Sequence, residues 1–197
     1  MSKAFDRVEW PYLEQVMQAL GFADGWIKLI MGCVLSVTFE VLLNGREARR
    51  VTPTRGLRQG DPLSPYLFIL CVEGLTAMLN DAVTRGSLHS IQICRKAPKI
   101  SHLFFADDSF LFLRATETEA GKLMAILQGY EAASGQVINL QKSSITFSNN
   151  VQQRTRSWIS QILGMIEVEP SGEEKRTSTR STGWNGGNLQ PRREQGA

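Results

Sequence analysis

Polar and apolar positions change period several times along the chain, and each change predicts an element. Over residues 11–20, Leu13, Val16, Met17 and Leu20 share one helical face; Pro11 suits the first turn and Gly21 follows as a stop. A second helix is expected from Asp24, as N-cap, through Trp26, Ile27, Ile30 and Met31. The period then falls to two, with Val37, Phe39 and Val41 alternating up to Asn44-Gly45. That dipeptide between two strand-like runs predicts a hairpin of 36–43 with 46–52. Ser64-Pro65 opens a long apolar helix to about Val83, with a stop near Gly86. Strands are expected over 88–94 and 101–114, the second interrupted by Ala106-Asp107-Asp108. Thr116 and Glu119 have the spacing of a capping box for a helix that ends about Ala133, before Gly135. Residues 137–148 read as extended and 151–163 as a last helix. The sum is an α+β fold, with helices packed on one small, mostly antiparallel sheet.

From Glu169 onward the pattern stops. Trp184 and Leu189 are the only bulky apolar residues of 170–197, too few to offset the entropy of ordering, so 169–197 is expected to be a disordered tail. Within it, residues 171–197 hold five of the 22 basic residues and three of the 19 acidic ones, which leaves a net of only +1 over 1–170. Overall basicity therefore says little about partners. The apolar content of 42% is enough for a real core. Cys33, Cys71 and Cys94 lack metal or disulfide spacing and read as free thiols of a reducing compartment. No basic segment followed by an apolar one marks the N-terminus, and the longest apolar run, 66–72, is too short for a bilayer. An intracellular chain, in nucleus or cytoplasm and without a membrane partner, is the expectation.

Two stretches carry candidate chemistry. "SHLFFADDSFLFL", 101–113, sets Asp107 and Asp108 in an apolar run, where an unpaired buried charge is costly. Aspartates suit a tight turn. Adjacent like charges also suit a divalent cation with oxygen ligands, the arrangement that two-metal phosphoryl-transfer sites use. Both readings stay open on the pair alone. "TRGLRQGDPLSPYLFIL", 54–70, follows a run in which Arg46, Arg49, Arg50, Arg55 and Arg58 fall within thirteen residues, with Glu47 as the only acid. It reads as a plain loop into a helix, or as a basic hairpin and helix start that bind phosphates.

"KAFDRVEW" at 3–10, "GLRQGDPLSPYLF", "FADD" and "SGQVINLQKS" occur together in that order. In order and spacing they resemble the palm of the reverse transcriptase of LINE-type (non-LTR) retrotransposons, plant members above all. Group II intron maturases share the palm but usually carry a Pro-Gln-Gly-Gly type string in the second block. The resemblance covers about residues 1–168. It implies a right-hand polymerase palm with incomplete fingers and no thumb, with 169–197 as a tail that a frameshift would also explain.

The activity implied is RNA-directed DNA polymerisation, with an RNA template, a DNA primer and deoxynucleoside triphosphates as partners. Two Mg²⁺ ions, or Mn²⁺ in their place, are the implied cofactor. Asp107 and Asp108 would be the metal-binding and catalytic aspartates, and the Met1 backbone carbonyl a further metal contact. Lys142 would stand near the departing pyrophosphate as a proton donor. Phe5 would be the gate that excludes a ribose 2′-OH, Gln59 and Gly60 would line the nucleotide pocket, Arg58 would face template or triphosphate, and Phe105 would lie beside the primer terminus. Arg46, Arg49, Arg50 and Arg55 would hold nucleic acid. The family's first-motif metal aspartate stands three positions before the lysine, here Lys3, and so would fall immediately ahead of Met1. Asp6 is the motif's second aspartate and is expected to cap the following helix. These 197 residues are therefore expected to be inactive as a polymerase; a non-catalytic binding remnant using the hairpin of 46–58 is the alternative.

Overall fold

The computed structural model describes residues 4–105 and 108–168, so the expectations for 1–3, 106–107 and 169–197, Met1 and Asp107 among them, lie outside the described residues. Its centre is the long helix α3 (Ser64–Thr84), reached after α1 (Trp10–Ala19), α2 (Asp24–Leu35) and the hairpin β1 (Phe39–Leu43) with β2 (Arg46–Val51). One stripe of α3 is buried along its whole length, and its two halves serve two clusters. Leu67, Phe68, Cys71 and Val72 pack with Leu13, Met17, Ile27, Ile30 and Val34 of α1 and α2. Leu75, Leu79 and Ala82 pack with Leu123, Ile126, Leu127 and Tyr130 of α4 (Glu117–Ser134) and with Ile159 and Leu163 of α5 (Gln153–Leu163). Truncating any of these buried leucines to alanine costs about 2–5 kcal/mol. By length and composition α3 alone among the described helices could cross a bilayer, yet it lies packed against α1 and α4.

Tyr12 crosses between the clusters. Its hydroxyl donates to the Cys71 carbonyl at 3.0 Å, beside Gly74, where a Cβ would collide with that hydroxyl. Its ring meets Tyr130 edge-on at 6.1 Å.

The helices follow the hydrophobic period closely, but two caps differ from expectation. Ala23 is the N-cap of α2, and Asp24 sits inside the first turn, where the helix dipole still favours an anion. At α4, the Thr116 hydroxyl accepts from the Glu119 amide at 3.3 Å, which is half of a capping box. The Glu119 carboxylate turns away instead. It is buried, accepts from the amides of Arg114 (3.0 Å) and His89 (3.2 Å), and pairs with His89 Nδ1 at 2.7 Å. The loop that carries His89 lies over the helix start and offers these donors, so the carboxylate satisfies them rather than its own N-cap.

The strands depart further. Asn44 and Gly45 take positive φ (51° and 76°) and close the predicted hairpin, with a bulge between Val41 and Leu42. β3 (His102–Phe105) and β4 (Asp108–Leu111) form a second antiparallel pair. β5 (Ser144–Ile145) and β6 (Ile166–Glu167) form a parallel one. The described residues thus hold three separate two-stranded sheets instead of one small sheet. Residues 88–94 contribute only a bridge between Ile91 and Ile100, because the chain turns back through Lys96 at φ 79°. Within 137–148 the Asn139 side chain accepts from the Lys142 amide and folds Leu140–Lys142 into a 3₁₀ turn, so only Ser144–Ile145 is strand. The class is α+β, as the pattern predicts.

Candidate functional site

Residues 4–10, the first motif block, are held on two sides by turns built on glycine. On one side the Gly56 amide donates to the Val8 carbonyl (2.8 Å) and the Leu57 amide to the Phe5 carbonyl (2.7 Å). The Trp10 indole returns a bond to the Gly56 carbonyl at 2.7 Å. Gly56 has φ +91°, and a Cβ there would lie 2.8 Å from the Asp6 carbonyl oxygen, so a side chain would push the two segments apart. On the other side the Glu9 amide donates to the Ser134 carbonyl at 3.0 Å, and the Gln136 side-chain amide donates to the Ala4 carbonyl at 2.8 Å. Gly135, at φ +74°, closes α4 there, and a Cβ on it would run into the Arg7 carbonyl. Three blocks far apart in sequence therefore meet backbone to backbone.

At this junction Phe5, in the short 3₁₀ turn Phe5–Arg7, is half-buried and stacks on Phe68 of α3, with 5.0 Å between ring centroids. Gln59 is exposed and its amide donates to Asp6 Oδ1 at 3.3 Å. Asp6 therefore does not cap the helix that follows: the N-cap of α1 is Glu9, with no side-chain capping bond, and Asp6 faces the 56–60 turn instead. Arg58 is exposed and, with Trp10, Leu57 and Val34, lines a pocket of about 220 Å³ under that turn. Gly60 is exposed at φ +84°.

Asp108 is the first residue of β4, in register with Phe105 at the end of β3. The strands are not buried through and through as the apolar run suggested. Leu103, Phe105 and Phe110 are exposed, Phe105 by 77%, while Phe104 and Leu111 face the core. Asp108 is exposed too, so it carries none of the burial cost that an apolar run implies. Asp108 and Lys142 line the same open groove of about 680 Å³, floored by Leu75, Leu123, Leu127 and Ile159. Arg58 lines the other pocket.

The five predicted arginines are all exposed, but they are not equivalent. Arg50 pairs across the hairpin with Glu40 at 2.8 Å, and Arg55 with Glu9 at 3.2 Å. Arg46, Arg49 and Arg58 make no salt bridge among the described residues. Carboxylate oxygens such as those of Asp108 are hard donors that suit Mg²⁺. Among the described residues no three Asp, Glu, His or Cys side chains gather into a set that could hold a cation. Trp10, Gly56, Ser134 and Gln136, which fix the junction, lie inside the three motif blocks, but motif and order give them no role. Beyond that place, the one signal is a polar Gln136 ahead of the apolar Val137 and Ile138, at a position that turns out fully buried.

A family model described as reverse transcriptase (RNA-dependent DNA polymerase) matches residues 1–182. An uncharacterized mitochondrial protein of Arabidopsis thaliana is 53% identical over 68 residues, 34% of this chain and 56% of that protein. A retrovirus-related Pol polyprotein from a type-1 retrotransposable element R2 of Popillia japonica is 31% identical over 153 residues, 78% of this chain and 24% of the polyprotein. The transposon TX1 149 kDa protein of Xenopus laevis is 28% identical over 179 residues, 87% of this chain and 13% of its own length. The chain thus spans 56% or less of each of these relatives. With its four motifs in order and a family match over nearly the whole length, the chain belongs to the reverse transcriptase (RNA-dependent DNA polymerase) family, in agreement with the LINE-type resemblance of its motifs.

Proposed function

We propose that the chain is palm material of an RNA-directed DNA polymerase whose substrates are an RNA template, a DNA primer and deoxynucleoside triphosphates. The observation that carries this reading is the junction of the first, second and fourth motif blocks, which brings Phe5, Gln59 and the 56–60 turn to one place. Phe5, backed by Phe68, would press on the sugar of an incoming nucleotide and reject a 2′-OH by bulk. Gln59 and Gly60 would line the nucleotide pocket, with Arg58 free to meet phosphate. Phe105 would support the primer end beside the aspartates. Asp107 and Asp108 would hold divalent cations, Mg²⁺ or Mn²⁺, which when bound lower the charge cost of nucleotidyl transfer. A backbone contact from Met1 belongs to the same proposal. Lys142 shares the groove of Asp108 and would hold the proton given to pyrophosphate.

The same reading holds that these 197 residues do not sustain synthesis alone, since they supply two of the three metal carboxylates the resemblance asks for. The test is primer extension on an RNA template with Mg²⁺. Templated products from this chain would sink the inactivity claim, and no product above background is expected.

A second reading, nucleic-acid binding without catalysis, rests on the exposed arginines of the hairpin. Arg46, Arg49 and Arg58 would each neutralise about one phosphate, so each change to alanine would lower the salt slope of binding by about one. Arg50, engaged by Glu40, would matter less. Binding insensitive to salt and to all three changes would end that reading.

A further inference from the structure

We propose that Gln136 is a positioning residue for the Phe5 gate, holding the first motif block in register with the 56–60 turn from the opposite side. This rests on the gate role proposed for Phe5. Gln136 is fully buried, and its side chain bridges 132 residues of sequence to reach the Ala4 carbonyl at 2.8 Å. The acceptor is the peptide unit immediately before Phe5, and the Phe5 carbonyl in turn receives the Leu57 amide at 2.7 Å. Force on Ala4 is thus transmitted through one residue to the nucleotide-side turn.

Gln136 is itself fixed. Its backbone amide donates to Ser134 Oγ (3.1 Å), whose hydroxyl donates to the Tyr130 carbonyl (2.6 Å) at the end of α4. It follows Gly135, whose missing Cβ lets the Arg7 carbonyl approach. The register of Phe5 is therefore referred to the end of a buried helix rather than to a surface loop. A leucine or methionine would fill the same space but offer no donor, and the buried Ala4 carbonyl would lose its partner. On the α4 side the block would then keep only the Glu9–Ser134 bond, four residues beyond Phe5, and the peptide next to Phe5 would be held from the Leu57 side alone. A gate that discriminates by bulk depends on placement to a few tenths of an ångström, because van der Waals repulsion rises steeply with approach.

The experiment uses the full chain, wild type against Gln136→Met, and reads amide hydrogen exchange residue by residue. Exchange at the Leu57 and Gly56 amides should quicken about tenfold, while the Leu75 and Leu79 amides of α3 keep their wild-type rates. No change at Leu57, or an equal change at all four, overturns the proposal. Should Gln136→Met not fold, Gln136→Asn, which keeps the amide but draws it back by one methylene, is read by the same comparison.

Titration with dATP and with ATP in the presence of Mg²⁺ gives the second readout. Wild type should prefer dATP, and Gln136→Met should lower that preference about fivefold. Phe5→Val should lower it at least as far. If Phe5→Val lowers the preference and Gln136→Met does not, the positioning role is wrong. If Phe5→Val leaves the preference unmoved, the gate reading is what fails, and the Leu57 exchange alone then upholds or overturns the backbone role of Gln136.

Discussion

The Trp10 indole and the Gly56 carbonyl, 46 residues apart, are joined by a 2.7 Å hydrogen bond at the seam between two motif blocks. Since Gly56 also holds φ +91° with the Asp6 carbonyl where its Cβ would be, Gly56→Ala combines backbone strain with a clash. It should cost about 2–3 kcal/mol in urea unfolding. Trp10→Phe keeps the ring but leaves the Gly56 carbonyl without that donor, and should cost about 1 kcal/mol from this bond. Equal stability of wild type and Gly56→Ala would mean that the seam does not form.

Glu119 gathers three donors in a buried place, two backbone amides and the His89 ring. Glu119→Ala leaves them unpaired and should cost about 3 kcal/mol. Glu119→Gln retains an accepting oxygen and should lose less than half as much. The ordering of the two variants by denaturant midpoint is the check, and the reverse ordering would refute the bonding pattern.

The three thiols should separate cleanly. Cys33 and Cys94 are exposed, whereas Cys71 is buried in α3 and burial pushes its thiol up to about 12. A thiol-reactive dye at neutral pH should therefore modify two cysteines in the native protein and the third only with denaturant. Rapid native labelling of Cys71 would contradict the packing of α3 on α1.

Burial lowers the His102 imidazole from its ordinary 6.5, and the charge of Glu73 opposes that only in part. The folded state then binds fewer protons than the unfolded one in the window below 6.5. Stability from this group is whole above 6.5 and is lost as the pH falls through the lowered value. His102→Gln should remove that contribution, so the stability difference between wild type and variant should shrink from pH 7.5 to pH 5.5. A difference that grows on acidification would reverse the sign of the shift.

How much of this was legible depended on the range of the interaction. Helices α1, α3, α4 and α5 could be read because an apolar stripe and a glycine stop are local facts, as at Leu13, Val16, Met17 and Gly21. The Asn44-Gly45 turn was legible for the same reason. Residues 88–94 and 137–148 were misread where polar groups offered the backbone a local alternative, as Asn139 does. The Glu119 side chain was misassigned because its partner, His89, lies 30 residues away. Asp6 was misplaced likewise: Gln59, its donor, is 53 residues distant. Of the candidate site, residue types and order were readable, but the clasp around residues 4–10 was not. Its bonds run mainly through backbone atoms, which every residue carries.

The span of that clasp bears on how the chain is made. Ala4 cannot meet Gln136 until 132 further residues have been synthesised. At typical translation speeds that is a wait of roughly ten seconds. During it, α1, α2 and the 56–57 turn can close on residues 4–10 early, whereas the bonds from Gln136 and Ser134 must close late and against the entropy of a long loop. Nascent chains stalled before residue 134 would leave the Ala4 carbonyl and the Glu9 amide without their partners, open to water or to a neighbouring chain.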